Sequence, residues 1–152
     1  MQQLVSYLQI NSLYKDFVSF KDKQRIQVLE NVDFQVSREE FFVLLGPTGC
    51  GKTTLLNLIA GFECADRGGI FLEGSRILSP SWQRTMGFQY YALFPWLSVR
   101  HNIEFGLKMK GGDRARRLDR VSELITLLGL SGFEDMYPAE LSGGMKQCVA
   151  IA

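Results

Sequence analysis

Phe41-Phe42-Val43-Leu44-Leu45-Gly46-Pro47-Thr48-Gly49-Cys50-Gly51-Lys52-Thr53 is the stretch on which the fold turns. Five consecutive apolar residues, Phe41 to Leu45, have the pattern of a short strand covered on both faces. They run directly into a glycine-rich turn, Gly46 to Gly51, after which Thr53 to Ala60 reads as a helix that Gly61 is placed to end. A buried strand, a tight turn and a helix in that order open an α/β core with parallel strands.

Upstream, Leu8 and Ile10 alternate with polar neighbours, as do Val32, Phe34 and Val36, the signal of half-buried strands. With few helices between them, these early strands predict an added antiparallel lobe. Downstream, Ile70-Phe71-Leu72 is a short strand between turn signals at Gly68-Gly69 and Gly74, and Met86 to Gln89 is another. The pattern then becomes helical. Ser98 is placed to cap a helix carrying Val99, Ile103 and Leu107. After a basic hinge, Asp113 caps a helix with the stripe Leu118, Val121, Leu124, Ile125 and Leu128, and Gly129 ends it. Pro138 and Ser142 precede a last helix that has barely begun at Ala152.

The 152 residues fit one ordinary domain, and a composition 46% hydrophobic and 22% charged excludes a disordered tail or a fibrous repeat. Seventeen Lys and Arg against 16 Asp and Glu leave a net charge of +1, which argues against a nucleic-acid partner held by bulk charge. No apolar run approaches the roughly 20 residues that span a bilayer, and Met1-Gln2-Gln3-Leu4 does not read as a secretory signal. Cys50, Cys64 and Cys148 form no CxxC pair, so neither a zinc site nor a disulfide framework is expected, and a reducing compartment fits. His101, the single histidine, lacks a partner set for a metal.

Gly46 to Thr53 matches G-x-x-x-x-G-K-[ST]. Glycines let backbone N–H groups approach phosphate oxygens closely, and the following helix aims its positive end at the same anion. Lys52 supplies a point charge for β- and γ-phosphates, and Thr53 a hydroxyl for Mg²⁺. Cys50 fills a position that needs only a small neutral side chain; a helix N-terminus also sensitises thiols to alkylation, which is the sharper alternative.

Leu141-Ser142-Gly143-Gly144-Met145-Lys146-Gln147 is a second helix start of the same physical kind, with a capping hydroxyl and two glycines exposing N–H groups. It closely resembles the LSGGQ-type signature of ATP-binding cassette (ABC) ATPases. The resemblance extends over nearly the whole chain. Phe17 falls where that family places an aromatic ring that stacks on adenine, although a core or loop role also suits it. Gln89 resembles the Q-loop glutamine, whose amide reaches Mg²⁺ and the attacking water. Leu93-Phe94-Pro95-Trp96-Leu97-Ser98-Val99 resembles the nitrate/sulfonate/taurine group of importers.

The resemblance implies a P-loop NTPase core with an antiparallel β lobe and a helical lobe, divided at approximately 1–85 and 90–152, the C-terminal part of the core being absent. It implies ATP and Mg²⁺ as cofactors. The nucleotide would be held by Gly46, Pro47, Thr48, Gly49, Cys50, Gly51, Lys52, Thr53 and Thr54, with Phe17 on the base. Thr53 and Gln89 would serve the metal, and Gln89 catalysis. Ser142, Gly143, Gly144 and Gln147 would touch the nucleotide of a second ATP-binding subunit in a head-to-tail dimer. The segment Gln89–Val99 would meet transmembrane permease subunits, either exposed to them or packed as an aromatic cluster of the helical lobe. A solute-binding protein would take part indirectly, and the location would be peripheral, on the cytoplasmic side of the membrane.

Several departures from the family pattern carry expectations of their own. No apolar strand ending in Asp-Glu follows the signature, so the Walker B aspartate, the catalytic glutamate and the switch histidine are absent from these residues. Hydrolysis by this chain alone is therefore expected to be deficient, leaving a nucleotide-binding-only or non-functional fragment as the alternative to an energising ATPase. Phe41–Leu45 would be left with an unpaired edge, and the isolated chain is expected to be insoluble or poorly cooperative. Glu39 stands where the family has Gly, and Cys148 where it has Arg. Arg100 to Arg120 holds seven Lys or Arg against three acids, which suits a solvated helix face or anionic headgroups.

Overall fold

The computed structural model describes residues 6–19, 21–88 and 90–152. The chain divides into two compact units, Met1–Met86 and Gly87–Ala152.

The first unit is a four-stranded sheet with one helix. Strands β1 (Ser6–Val18) and β2 (Arg25–Ser37) pair antiparallel, with Ile10 opposite Phe34, Lys15 opposite Leu29 and Phe17 opposite Ile26. β3 (Arg67–Leu72) pairs antiparallel with the other edge of β1, Ile10 facing Ile70, and β4 (Ser75–Arg76) closes the order β2-β1-β3-β4. The predicted antiparallel lobe is present, and its strands are longer than the alternation suggested. Ile10, Leu13, Leu29 and Ile70 turn inward and bury against Leu55 and Leu58 of helix α1 (Lys52–Ala60). Gly61 ends α1 in the left-handed conformation, as its position predicted, its N–H returning to the Leu58 carbonyl.

One turn expectation is corrected, while the turn expected at Gly74 is found. The Gly68-Gly69 pair is not a turn but lies inside β3. Gly68, at φ +79, lets β3 approach β1 so closely that a Cβ would fall 2.1 Å from the Ser12 carbonyl oxygen. Glycine here marks a close backbone approach rather than a chain reversal. The reversal is at Glu73-Gly74, both with positive φ, as a two-residue hairpin requires.

The larger correction concerns Phe41–Leu45, which is not a strand. The segment alternates: Phe42 stacks on Phe34 with ring centroids 4.9 Å apart, and Leu44 packs against the sheet's core. Phe41 and Leu45 are 92% and 90% exposed. An extended run becomes a strand only when a neighbour accepts its hydrogen bonds, and among the described residues this one has none. The short strand expected from Met86 to Gln89 fares likewise: Met86 to Phe88 form no strand, and Gln89 lies outside the described residues. Every strand pairing described is antiparallel, so the parallel core that the sequence led us to expect is not formed by these residues.

The second unit is helical: α2 (Val99–Lys110), α3 (Arg114–Leu127), a single 3₁₀ turn (Pro138–Glu140) and α4 (Gly143–Ile151). Val99, Ile103, Val121, Ile125, Leu130, Leu141 and Val149 form its core, matching the stripes expected for α2 and α3. Asp113 caps α3, its carboxylate accepting from the Arg116 N–H at 3.0 Å. Ser98 is the N-cap residue of α2, but its hydroxyl lies 2.8 Å from His101 Nδ1 instead of capping an amide. Arg117 of α3 donates to Glu104 of α2 at 2.8 Å. No helix among the described residues is long and apolar enough to cross a membrane.

Candidate functional site

The loop between β2 and α1 is built around its glycines. Gly49 and Gly51 have φ of +85 and +92, where L side chains are strained. Gly51 is the N-cap of α1 and lies directly on β2: a Cβ there would sit 2.8 Å from a Leu29 methyl and 3.0 Å from the Val28 carbonyl oxygen. At Gly46 a Cβ would come within 2.8 Å of the Cys50 sulfur, so that side chain would have to turn away.

A glycine cap supplies no side-chain acceptor, and the first turn of α1 has no acidic residue. The positive end of the helix is therefore not neutralised from within its own first turn, which is the electrostatic condition for holding an anion. Lys52 folds back over the loop. Its ammonium donates to the carbonyls of Gly46 at 2.8 Å and Pro47 at 2.7 Å and contacts the Cys50 sulfur at 3.4 Å. One cation is thus held at the mouth of the loop by neutral oxygens, and an anionic oxygen would compete well for it. Thr48 and Thr53 are exposed, and Thr54 is half-buried. The donor set, with backbone amides, one ammonium and threonine hydroxyls, fits a phosphate chain and the hydroxyl ligand of a hard cation.

Phe17 lies on the same sheet. It is two residues along β1 from Lys15, which faces Leu29, the residue under Gly51. Strand geometry puts its Cα on the order of 8 Å from that of Leu29. Phe17 is 38% exposed, and the Lys15 ammonium lies 5.0 Å from its ring centroid. Lys15 is itself buried and spans to the Cys64 carbonyl at 2.9 Å and Glu63 at 3.5 Å. The strand alternation does not reveal this lysine, because a bulge in β1 resets which residues point inward.

In the helical unit, Ser142 caps α4, its hydroxyl accepting from the Met145 N–H at 3.3 Å. Leu141 anchors this start in the core. Gly143 and Gly144 are exposed, and Gln147 is half-buried. The Tyr91 hydroxyl fills the space beside Gly143, 3.1 Å from where a Cβ would be. Tyr91 and the following Ala92 both have left-handed φ, 56 and 50. Tyr91's approach to the signature had no advance signal, because it depends on that unusual backbone.

The aromatic segment after position 89 is partly packed and partly exposed. Leu93 packs against the helical core, and the Phe94 ring lies tilted against Phe105, with centroids 4.5 Å apart, and against Trp96, at 5.6 Å. Trp96 is 69% and Tyr90 86% exposed. Asn102, which the pattern of α2 did not single out, holds this segment through its side-chain amide. The three cysteines are free, Cys50 and Cys64 being exposed. Among the described residues no group of three His, Cys, Asp or Glu is placed to hold a metal by itself.

The loop and the capped signature can be compared with known proteins. The family model described as ABC transporter matches residues 29–152. A nitrate import ATP-binding protein from Synechocystis is 43% identical over 96% of this chain and 54% of its own length. An aliphatic sulfonates import ATP-binding protein from Bacillus cereus is 46% identical, over 87% of this chain and 51% of its own. A taurine import ATP-binding protein from Roseobacter denitrificans is 43% identical over 95% and 54%. The chain therefore spans about half the length of the curated relatives it matches. A solved dimer of an ATP-binding cassette, in a post-hydrolysis state bound to ADP and Pi, superposes with a TM-score of 0.80 at 26% identity, covering 95% of this chain and 67% of that one. With a matching family model over most of its length, an antiparallel sheet and a helical unit of the same cassette fold, and a glycine loop set on β2, this chain belongs to the ABC transporter family.

Proposed function

We propose that this chain is the ATP-binding part of the energising subunit of an ABC importer, of the kind that serves small oxyanions such as nitrate and sulfonates. The observation that carries the reading is the Gly46–Thr54 loop: two left-handed glycines, an α1 N-terminus with no carboxylate in its first turn, and the Lys52 ammonium at the loop carbonyls. The relatives named for nitrate, sulfonate and taurine import support the solute class.

In this reading the amides that open α1 bind the phosphate chain, and Lys52 exchanges its neutral carbonyl partners for β- and γ-phosphate oxygens. Thr53 offers its hydroxyl to Mg²⁺, joined by Gln89, and Phe17 stacks on the base. Mg²⁺, when bound, neutralises charge on the phosphates. Ser142, Gly143, Gly144 and Gln147 act in trans, on the nucleotide of a second subunit facing head to tail. The segment Gln89–Val99 meets the permease subunits, a solute-binding protein delivers the solute to them, and the subunit sits peripherally on the cytoplasmic face. Units 1–86 and 87–152 belong to one such cassette.

The loop from Gly46 to Thr54 contains no carboxylate, so water activation needs a general base from outside it. As a 152-residue polypeptide assayed alone, the chain binds nucleotide without efficient turnover. Calorimetric titration with MgATP tests the reading. Lys52→Ala removes charge-assisted hydrogen bonds each of about 1.5–3 kcal/mol, an affinity loss on the order of ten- to a hundred-fold. Equal affinity of Lys52→Ala and the unaltered chain would refute the assignment, and rapid ATP turnover by the isolated polypeptide would refute the missing-base reading.

A further inference from the structure

Lys15 is a cation buried on β1, and its contacts join two parts of the first unit. Its ammonium donates to the Cys64 carbonyl at 2.9 Å and pairs with the Glu63 carboxylate at 3.5 Å. It also lies over the Phe17 ring, 5.0 Å from the centroid. Glu63 and Cys64 follow Gly61, the residue that ends α1. The other end of that helix, on the order of 13 Å away, is the Gly51–Lys52 start of the glycine loop. One side chain thus ties the Phe17 ring to the helix that carries the loop.

Taking an ammonium out of water is costly even when it is paired. An apolar residue could serve the packing alone, as Leu13 does two positions earlier, fully buried in the same core. What the charge adds is its hold on Phe17. The faces of an aromatic ring are negative, and a cation within about 6 Å of the centroid is attracted to one of them. The ammonium therefore occupies one face and leaves the opposite face to stack. It also offsets part of the negative charge that resists a second π system laid on the ring. Phe17 itself is exposed, so the core does not enclose it. We infer that Lys15 is a positioning residue for the nucleotide base. Held by Glu63 and the Cys64 carbonyl, it fixes the Phe17 ring relative to the phosphate loop and prepares its free face for a purine. The inference rests on the proposed stacking of Phe17 on the base, and adds the group that orients that ring.

The test uses the complete protein carrying this chain and calorimetric titration with two probes, MgATP and magnesium tripolyphosphate, which has no nucleoside. The ratio of the two affinities isolates the nucleoside's share. Lys15→Met keeps an apolar stem and removes the charge; it is expected to lower MgATP affinity about three- to ten-fold while tripolyphosphate affinity stays within about two-fold. Lys15→Gln, which retains an N–H donor for the Cys64 carbonyl, is expected to do the same and stands in if the methionine variant does not fold. Lys15→Arg, which keeps a cation for the ring, is expected to retain most of the ratio. In a Phe17→Leu background, Lys15→Gln should no longer change it. Equal losses for both probes would make Lys15 merely structural and overturn the inference, as would an unchanged ratio in the charge-free variants. Phe17→Leu by itself separates the two levels. If it leaves the ratio as in the unaltered protein, the stacking reading fails and the inference with it; if it lowers the ratio while Lys15→Gln does not, only the positioning role fails.

Discussion

Adding a single methyl group at Gly51 and at Gly49 separates two costs that the loop's glycines avoid. Both residues have left-handed backbone, φ +92 and +85, so Ala at either position incurs about 1–2 kcal/mol of steric strain. At Gly49 nothing lies within 4 Å of the new Cβ, and the cost ends there. At Gly51 the methyl would meet a Leu29 methyl at 2.8 Å and the Val28 carbonyl oxygen at 3.0 Å. Leu29 can turn, but Val28 is main chain of β2, held in register by the pairing of Leu29 with Lys15. Overpacking of this kind adds about 1–3 kcal/mol. Gly51→Ala is therefore expected to destabilise the first unit by about 2–5 kcal/mol, against about 1–2 for Gly49→Ala. Trp82 lies in that unit and Trp96 in the other, so urea unfolding followed by Trp82 emission in a Trp96→Phe background reads it separately. With m on the order of 1–3 kcal/mol/M, the two midpoints should differ by about 1 M. The same displacement lifts the start of α1 off β2, so MgATP affinity should fall further for Gly51→Ala. Coincident midpoints would refute the claim that the loop rests on the Val28 carbonyl.

Ser142→Ala removes the hydroxyl that accepts the Met145 N–H and should cost the helical unit about 1 kcal/mol, seen in its thermal midpoint. Nucleotide binding by the single chain should be unaffected, and its abolition would rule out action in trans. Glu39 has φ 64, a left-handed residue with a side chain; Glu39→Gly should stabilise the first unit by about 0.5–1 kcal/mol after the added entropy of the unfolded chain is subtracted, and an unchanged urea midpoint would contradict this. The hydrogen bond from Arg117, followed by its charge, holds the Glu104 carboxyl below the ordinary value of 4.5. Its contribution is thus fully present above about pH 4.5 and is lost as the pH falls through the lower folded value. Trp96-monitored melts should show the helical unit weakening below that pH, and Glu104→Gln should flatten the dependence.

What could be read in advance, and what could not, follows from the range of the interactions involved. The caps of α3 and α4 were legible because Asp113 and Ser142 bond to amides only three residues away, and the Gly46–Thr54 loop because its geometry is written in its own glycines. The role of Asn102 was not legible, since its partners lie four to eight residues back on a turn whose shape is not helical. Phe41–Leu45 is the instructive failure. Its apolar composition signalled a segment covered on both faces, and the structure contradicts this: Leu44 packs on the sheet's core and Phe42 stacks on Phe34, but Phe42 and the other three residues are exposed. Strand formation, however, is a property of the neighbour as much as of the segment, because every ladder hydrogen bond needs a second chain. With Phe41 and Leu45 facing solvent at 92% and 90% exposure, the run has the alternation of a strand without its pairing. The residues that set the loop's height over the sheet are consequently Val28 and Leu29 of β2, found only through the clash a methyl on Gly51 would make. A phosphate-binding loop is thus recognisable from its own short motif, while the platform that holds it at working height is spread over strands that the motif does not contain.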